Sequence, residues 1–195
     1  MKKFINILIF IFIFALYFVT FFMIYDNFRE RKLNSQEKSA LELFNKKIDK
    51  KKEEVKQEQN QTISYNGYTI LGRIEIPKIG LNTVILKEMT YSAMNIGAVK
   101  SYGVDLNEKG GFVISAHNFR GKSVFFYNVK DLKVNDSIFI TDNKGRQMEY
   151  KVYQVDRYVS PDDVSHLAKT NDYHLVIYTC ENGGKSRIVV RARTQ

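Results

Sequence analysis

From residue 63 onwards the sequence breaks into short apolar runs separated by turn-forming residues, a pattern that few fold classes accommodate. The segment LGRIEIP at residues 71–77 alternates apolar and charged side chains, which is typical of a strand with one buried face. Residues 142–145 (DNKG) and 181–185 (ENGGK) have the composition of hairpin connections. The other strand-like runs are residues 81–86, 111–116, 137–141, 148–155, 174–179 and 187–192. Roughly eight strands, with short helical candidates at 92–96 and 162–167, predict an all-β barrel or sandwich.

The N-terminus carries an uncharged segment of a different kind. Residues 4–25 form a run of 22 residues without a charged side chain. As a helix this run would span roughly 33 Å, enough to cross a bilayer core of about 30 Å. It ends in FFMIYD, with no small-residue cleavage site, so we predict an uncleaved signal anchor. Residues 1–25 are therefore expected to form a cytoplasmic tip and a transmembrane helix, although the flanking lysines and arginines do not decide the orientation by themselves.

Residues 26–62 are strongly charged and separate this anchor from the strand-rich region. Leu41, Phe44, Ile48 and Val55 recur at roughly helical spacing and form a thin apolar stripe. Glu and Lys favour helices, so the segment is expected to be a solvated helical stalk that ends in a linker. The alternative is a regulatory helix that covers a site. Residues 63–195 are then the β-barrel domain that carries any chemistry.

The net charge helps to limit the partners. The chain has 30 Lys and Arg against 21 Asp and Glu, for a formal net charge of +9. Because this excess is spread along the chain, with no Arg-rich block, it favours an anionic surface such as lipid headgroups or cell wall over a nucleic-acid partner.

Cys180 is the only cysteine and ends the apolar run LVIYTC. A single thiol can form neither an intrachain disulfide nor, alone, a zinc site. It is therefore either a nucleophile or a small buried apolar side chain. Arg187 follows seven residues later, across a Gly-Gly turn, which favours the first alternative.

A thiol nucleophile needs a nearby activating group, and three histidines are available. His174 begins the strand that carries Cys180, so about 20 Å of extended chain separates the two residues. His166 lies in a polar stretch. His117 ends the apolar run at 111–116, and strand ends are where a rigid sheet presents catalytic groups, so His117 is the preferred partner.

Arg187 would complete such a site. Reactions at an amide pass through a tetrahedral intermediate with a negatively charged oxygen, to which a fixed guanidinium can donate. The alternative is an arginine on the solvated face of an edge strand, which is the interpretation we give to Arg191 and Arg193.

Taken together, these segments resemble the sortases, the cysteine transpeptidases of Gram-positive bacteria. The resemblance rests on the N-terminal anchor and on four stretches in this order: LGRIEIPKI at 71–79, GFVISAH at 111–117, LVIYTC at 175–180 and SRIVV at 186–190. It covers residues of about 70–195. Each stretch alone is weak evidence for this family, whereas the four together, in this order and spacing, are strong evidence for it.

The resemblance implies an eight-stranded closed β-barrel that cleaves an LPXTG-like sorting signal between Thr and Gly. Cys180 would attack the threonyl carbonyl, His117 would protonate the leaving amine, and Arg187 would hold the substrate and its oxyanion. Substrate-binding residues are expected beside them. These are Ala116, Asn118, Thr179 and Glu181. The implied partners are surface proteins bearing a C-terminal sorting signal, an amine of a peptidoglycan precursor or of a pilin, and the lipid bilayer, with the barrel outside the cell.

Two details refine the resemblance. Only about 13 residues lie between Val159 and Tyr173, too few for the long helix of class B, and residues 40–65 lack the Asp-aromatic pair of the pilin-assembling class C. Class A or D is therefore favoured, whereas the pair His117-Asn118 resembles class B and keeps that class open. No cofactor is required, although some class A members bind calcium through acidic loops. The candidate ligands would be Asp105, Glu108, Asp162 and Asp163.

Two other functions stay open on sequence grounds. A different secreted cysteine hydrolase, such as a wall peptidase, would also use a thiol. However, the papain-like plan places the cysteine at a helix N-terminus and ahead of the histidine. A non-catalytic, membrane-anchored binding domain would instead bury Cys180.

Overall fold

The computed structural model describes residues 2–53, 62–118, 125–163 and 171–195. Within these residues there are two α-helices, α1 (Lys2–Glu53) and α2 (Tyr91–Met94). The strands are β1 (Ile63–Tyr65), β2 (Tyr68–Ile76), β3 (Leu81–Leu86), β4 (Ala98–Gly103), β5 (Phe112–Ser115), β6 (Ser137–Asp142), β7 (Gln147–Val159), β8 (His174–Glu181) and β9 (Ser186–Arg193). Short 3₁₀ helices occupy Pro77–Ile79, Phe126–Asp131 and Asn182–Gly184.

Strands β2 to β9 form a closed barrel. Their order is β2-β3-β4-β5-β8-β9-β7-β6, and β6 pairs back onto β2 to complete the circle. The β3–β4 and β5–β8 pairs are parallel and the other pairs are antiparallel. Closure leaves no free strand edge around the barrel. The prediction of an all-β, eight-stranded barrel with short helices is confirmed.

Alternate side chains of each strand fill the barrel interior because successive residues of a strand point to opposite faces. On β2, Ile74 and Ile76 are fully buried, whereas Arg73 and Glu75 lie outside and form an ion pair of 3.7 Å. The same alternation continues around the barrel. Its interior members include Phe112, Ile114, Leu175, Ile177, Ile188 and Val190.

The two predicted hairpin connections are present. The turn after β6 is closed by the Gly145 N–H, which donates to the Asp142 carbonyl over 3.0 Å. The Asp142 carboxylate accepts the backbone N–H groups of Lys144 and Arg146, both over 2.9 Å. The second connection contains the 3₁₀ turn Asn182–Gly184 and joins β8 to β9.

The sequence analysis missed the strands β1 and β4. The β1–β2 hairpin turns on Asn66 and Gly67, both with positive φ (49° and 82°), as a two-residue hairpin turn of the primed type requires. An Asn-Gly pair between two tyrosines is a recognised hairpin signal and could have identified this turn. β4 pairs with β3 over only two residues and has two exposed residues at its end, so its sequence carries little alternation.

Of the two short helical candidates, the first corresponds to α2, whose N-terminus is capped by Thr90. The Thr90 hydroxyl accepts the Ala93 N–H over 3.1 Å. The second candidate, at 162–167, lies mostly outside the described residues.

The chain divides into two compact units, Met1–Ser35 and Gln36–Gln195. In the first unit the side chains from Phe10 to Tyr25 are exposed and almost all apolar. Among the described residues, α1 is long and apolar enough to cross a membrane by length and composition, with a mean hydropathy of 1.8 in its most apolar window.

In the second unit the end of α1 packs against the barrel, contrary to the expectation of a solvated stalk. Ala40, Phe44 and Ile48 are buried and form one apolar cluster with residues of the barrel wall. Their partners include Ile63, Ile70, Val84, Leu86, Ala93, Ile96 and Val99. The apolar stripe was visible in the sequence, and the outer face of β2 and β3 supplies the surface that buries it. Burying a side chain the size of Phe44 contributes about 2 kcal/mol.

Polar contacts flank this apolar cluster. Asn45 accepts a hydrogen bond of 3.1 Å from the guanidinium of Arg73. Glu37, one turn before Ala40, is only 9% exposed, and its carboxyl group interacts with the hydroxyl of Thr83. Burial disfavours the ionised form and raises the pKa of Glu37 to about 7.

The raised pKa makes the stability contribution of Glu37 depend on pH. Between pH 4.5 and about 7 the carboxyl is ionised in the unfolded chain but keeps its proton in the folded one, so stability falls as pH rises through this window. We therefore compare the free energy of unfolding of Glu37→Gln with that of the natural chain. This difference should shift in favour of the variant by on the order of 3 kcal/mol between pH 4 and pH 8. Denaturant unfolding followed by circular dichroism at several pH values measures this difference.

The matched control for that experiment is Glu42→Gln, which changes an exposed glutamate on the same helix. Its stability difference from the natural chain should stay constant with pH. A constant difference for Glu37→Gln as well would contradict the burial of a protonated carboxyl at this position.

Candidate active site

The barrel brings His117, Cys180 and Arg187 to the ends of three neighbouring strands. The parallel β5–β8 pair runs to Ser115↔Tyr178, and two residues further on are His117 and Cys180. The antiparallel β8–β9 pair places Cys180 directly opposite Arg187. Adjacent strands lie about 4.8 Å apart, so the three side chains are within reach of one small substrate group.

Strand alternation also puts the side chains of Cys180 and Arg187 on one face. Ile177 and Ile188 belong to the interior cluster, so the residues of opposite parity on β8 and β9, which include Cys180 and Arg187, point outwards. His117 follows Ala116 just beyond the end of β5, next to the end of β8.

Cys180 is exposed, so its thiol is accessible to a substrate. The guanidinium carbon of Arg187 lies 5.0 Å from the ring centroid of Tyr178, two residues before the thiol on the same face. This cation–π contact restrains the guanidinium beside the cysteine.

The other two arginines of β9 have different surroundings. Arg191 was expected to be solvated, but its side chain is largely buried and forms an ion pair with Asp156. The prediction of an edge strand was wrong, because β9 pairs with β8 on one side and with the long strand β7, which carries Asp156, on the other. Arg193 is exposed, as expected, with its guanidinium 5.3 Å from the ring centroid of Tyr153.

His117 follows β5 and contacts an aromatic ring that the sequence analysis did not identify. The Tyr91 ring on α2 meets the imidazole edge to face, with 4.9 Å between ring centroids. Tyr91 itself is 62% exposed, so it forms part of the rim around His117. No local pattern connects the two residues, since 26 positions separate them in the sequence.

His174 is not part of this arrangement. His174 begins β8, six residues before Cys180, and its Nε2 is 2.6 Å from the Tyr153 hydroxyl. Burial and the nearby Arg191 and Arg193 lower the pKa of His174. His166 lies outside the described residues.

Three of the four predicted substrate-binding residues form hydrogen bonds between the strand ends, and the fourth, Glu181, ends β8. The Thr179 hydroxyl donates to the Ala116 carbonyl over 2.7 Å, and both residues are almost fully buried. The Asn118 amide nitrogen donates to the Cys180 carbonyl, also over 2.7 Å. These contacts favour a role in joining the strand ends. Glu181 ends β8 half-buried beside the thiol and stays a predicted substrate-binding residue.

A small buried apolar cluster lies on the same three strands, on the side away from the barrel interior. Val113, Val176 and Val189 form a cluster on β5, β8 and β9, with Val159 and Tyr178 packed against it. The sequence analysis assigned these valines only to strands. Their outward parity, shared with Cys180, was the available signal.

The predicted calcium ligands do not assemble into a site. Asp105 is 3.7 Å from the ammonium of Lys100, and Glu108 accepts a hydrogen bond of 2.7 Å from Arg146. The bond to Glu108 raises the pKa of the Arg146 guanidinium. Asp162 and Asp163 lie in the turn after β7, and the described part of the chain contains no group of three or more potential metal ligands. Two of the four carboxylates thus each face a basic side chain in this structure.

Comparison with known proteins gives a consistent result. The family model described as the sortase domain matches residues 74–195. Sortase A of Bacillus anthracis is 30% identical over 111 residues, which are 57% of this chain and 52% of that protein. Sortase A of Listeria monocytogenes is 24% identical and is also covered over 52% of its length. The chain spans about half the length of the curated relatives it matches.

Solved structures share the fold. A sortase D5 transpeptidase of Clostridium perfringens superposes with a TM-score of 0.65 at 28% identity, covering 83% of this chain and 99% of that chain. Sortase A from Corynebacterium diphtheriae gives a TM-score of 0.59 at 27% identity, covering 65% of this chain and 60% of that chain. Similarity to sortases named A and D is consistent with the expected class. Since the family model spans 74–195, and therefore the three aligned strand ends, this chain belongs to the sortase family.

Proposed function

We propose that this protein is a cysteine transpeptidase that cleaves an LPXTG-like sorting signal and transfers the acyl part to an amine. The observation that carries the proposal is the placement of His117, Cys180 and Arg187 at three adjacent strand ends. A thiol, an imidazole and a guanidinium supply a nucleophile, a proton carrier and an oxyanion donor.

In the first half of the reaction, the Cys180 thiol passes its proton to His117 and the thiolate attacks the threonyl carbonyl carbon. A bond forms between Sγ and that carbon, and the carbonyl oxygen becomes an oxyanion. Arg187 donates to this oxygen, with the backbone N–H of Glu181 as a second donor. His117, as imidazolium, gives a proton to the departing glycine amine while the C–N bond breaks, which leaves a thioacyl enzyme.

In the second half an acceptor amine enters the same position. His117 takes a proton from this amine as its nitrogen attacks the thioester carbon. The carbon–sulfur bond breaks, the thiolate is regenerated and a new amide bond remains. The energy of the original peptide bond is conserved in the thioester, so no cofactor enters the scheme.

Arg187, held over the ring of Tyr178, would orient the substrate backbone beside the thiol. Val113, Val176 and Val189 are buried on the strands that carry the functional residues, so they would support these strands and not contact the substrate.

For cellular location, we propose that residues 1–25 form a cytoplasmic tip and a membrane anchor, with the barrel outside the cell. The exposed apolar side chains of α1 support the anchor. The partners in this scheme are the lipid bilayer, surface proteins with a sorting signal, and an amine of a peptidoglycan precursor or a pilin.

The two other functions left open by the sequence receive less support. A papain-like hydrolase places its cysteine at a helix N-terminus, whereas Cys180 lies near the end of strand β8. A binding domain with an inert cysteine would bury it, whereas Cys180 is exposed.

The test is to incubate the full chain in detergent with a library of sorting-type pentapeptides and an amine acceptor such as triglycine. Mass spectrometry then identifies the products. We expect cleavage after threonine and a new bond between threonine and the acceptor amine. Cleavage at unrelated bonds, or products of hydrolysis alone at saturating acceptor, would contradict transpeptidation.

A further inference from the structure

The main-chain ladder between β5 and β8 ends before it reaches the functional residues. The last backbone pair is Ser115↔Tyr178, and β5 itself ends at Ser115. His117 therefore lies beyond the regular sheet, on a chain segment that leaves the strand. Its position relative to Cys180 depends on the contacts that follow this last pair.

Two side-chain hydrogen bonds continue the connection. The Thr179 hydroxyl binds the Ala116 carbonyl and the Asn118 amide nitrogen binds the Cys180 carbonyl, each over 2.7 Å. The second bond joins the residue after the imidazole to the residue that carries the thiol. The side-chain amide of Asn118 therefore binds the backbone of the residue that carries the nucleophilic thiol.

The segment is also held from its other side. The His117 carbonyl accepts the Phe126 N–H over 3.2 Å, and Asn118 forms an isolated bridge with Phe125. Phe125 has a φ of 59° and is 3% exposed, an unusual conformation for a bulky residue that costs on the order of 1–3 kcal/mol. Such strain persists where the surrounding core fixes the backbone, and it is concentrated at functional sites.

We propose that Asn118 is a positioning residue, whose amide fixes the separation between the imidazole of His117 and the thiol of Cys180. The inference rests on the proposed transpeptidase function. It assigns Asn118 to the alignment of the catalytic groups and not to substrate contact, because its amide nitrogen binds Cys180 and its carbonyl oxygen is buried. A misplacement of about 1 Å between reacting groups can cost 100-fold in rate.

The experiment compares Asn118→Ala and Asn118→Asp with the natural full chain in detergent. Alanine removes the donor, and aspartate keeps the shape but turns an acceptor oxygen towards the Cys180 carbonyl. We expect kcat for peptide transfer to fall about 10- to 100-fold in both variants while KM for the peptide changes less than about twofold. A rise in KM at unchanged kcat, or near-natural kinetics, would overturn the inference.

A second readout needs no sorting peptide, which separates this inference from the proposed function. The rate of Cys180 alkylation by iodoacetamide is measured at one fixed pH in the same proteins. An imidazole that is no longer held beside the thiol assists its reaction less, so we expect slower alkylation in both variants. An unchanged alkylation rate in both variants would contradict the positioning role even if no peptide were turned over.

The matched control is Asn82→Ala, which removes an exposed asparagine from β3. It should leave both readouts at natural values. Near-ultraviolet circular dichroism of the tyrosines establishes that each variant is folded before its rates are compared.

Discussion

Cys180→Ala is expected to abolish thioacyl formation and to reduce peptide transfer by on the order of 10⁴-fold or more. The reason is chemical, since no other thiol exists in the chain to attack the scissile carbonyl. The side chain is exposed at a strand end, so its truncation opens no cavity in the core. The measurement is mass spectrometry of the full chain after exposure to a sorting peptide, with thermal unfolding as the check on the fold.

The informative control is Cys180→Ser, which retains a hydroxyl at the same position. Serine should be almost as inactive as alanine, because a hydroxyl is far harder to ionise than a thiol. Peptide transfer that persisted in Cys180→Ala would remove the basis of the proposed mechanism.

Arg187→Lys is expected to lower kcat for transfer by about 100- to 1000-fold while the barrel stays folded. The charge is conserved, but an ammonium lacks the planar fork that lets one side chain donate twice. It would also lose part of the stacking that holds the guanidinium 5.0 Å from the Tyr178 ring. Steady-state kinetics with a fluorogenic sorting peptide give kcat and KM separately.

Arg193→Lys is the matched control, because Arg193 lies on the same face of the same strand but is paired with His174, far from the thiol. It should retain natural kinetics. If Arg187→Lys also kept natural turnover, Arg187 could not be the main donor to the oxyanion.

The sequence predicted the barrel well because strand formation leaves a local signal. The alternation of residues 71–77 and the turn at 142–145 both appear where they were expected. The three candidate catalytic residues were also identified individually, since each stood beside a recognisable strand end. That the three residues share one site was predicted from the resemblance to sortases. Sequence spacing could not predict it, because His117 and Cys180 are 63 positions apart.

The features that the sequence did not reveal depend on contacts between distant segments. The stripe of Phe44 and Ile48 was visible, but helical periodicity cannot tell whether a partner surface exists, and the barrel wall provides one. Asn118 binds a carbonyl 62 positions away, and its residue type alone indicated only a polar loop. Tyr91 likewise reaches His117 through the fold, with no pattern that joins them.

The solitary sulfhydryl has a consequence for redox chemistry. When peroxide converts an exposed thiolate to a sulfenic acid, many proteins protect it by condensation with a second cysteine of the same chain. Here no such resolving residue exists, so recovery requires an external reductant, and continued oxidation leads irreversibly to the sulfinic and sulfonic acids. Oxidative inactivation of this protein should therefore become permanent unless a small thiol or a partner reductase reaches the barrel surface.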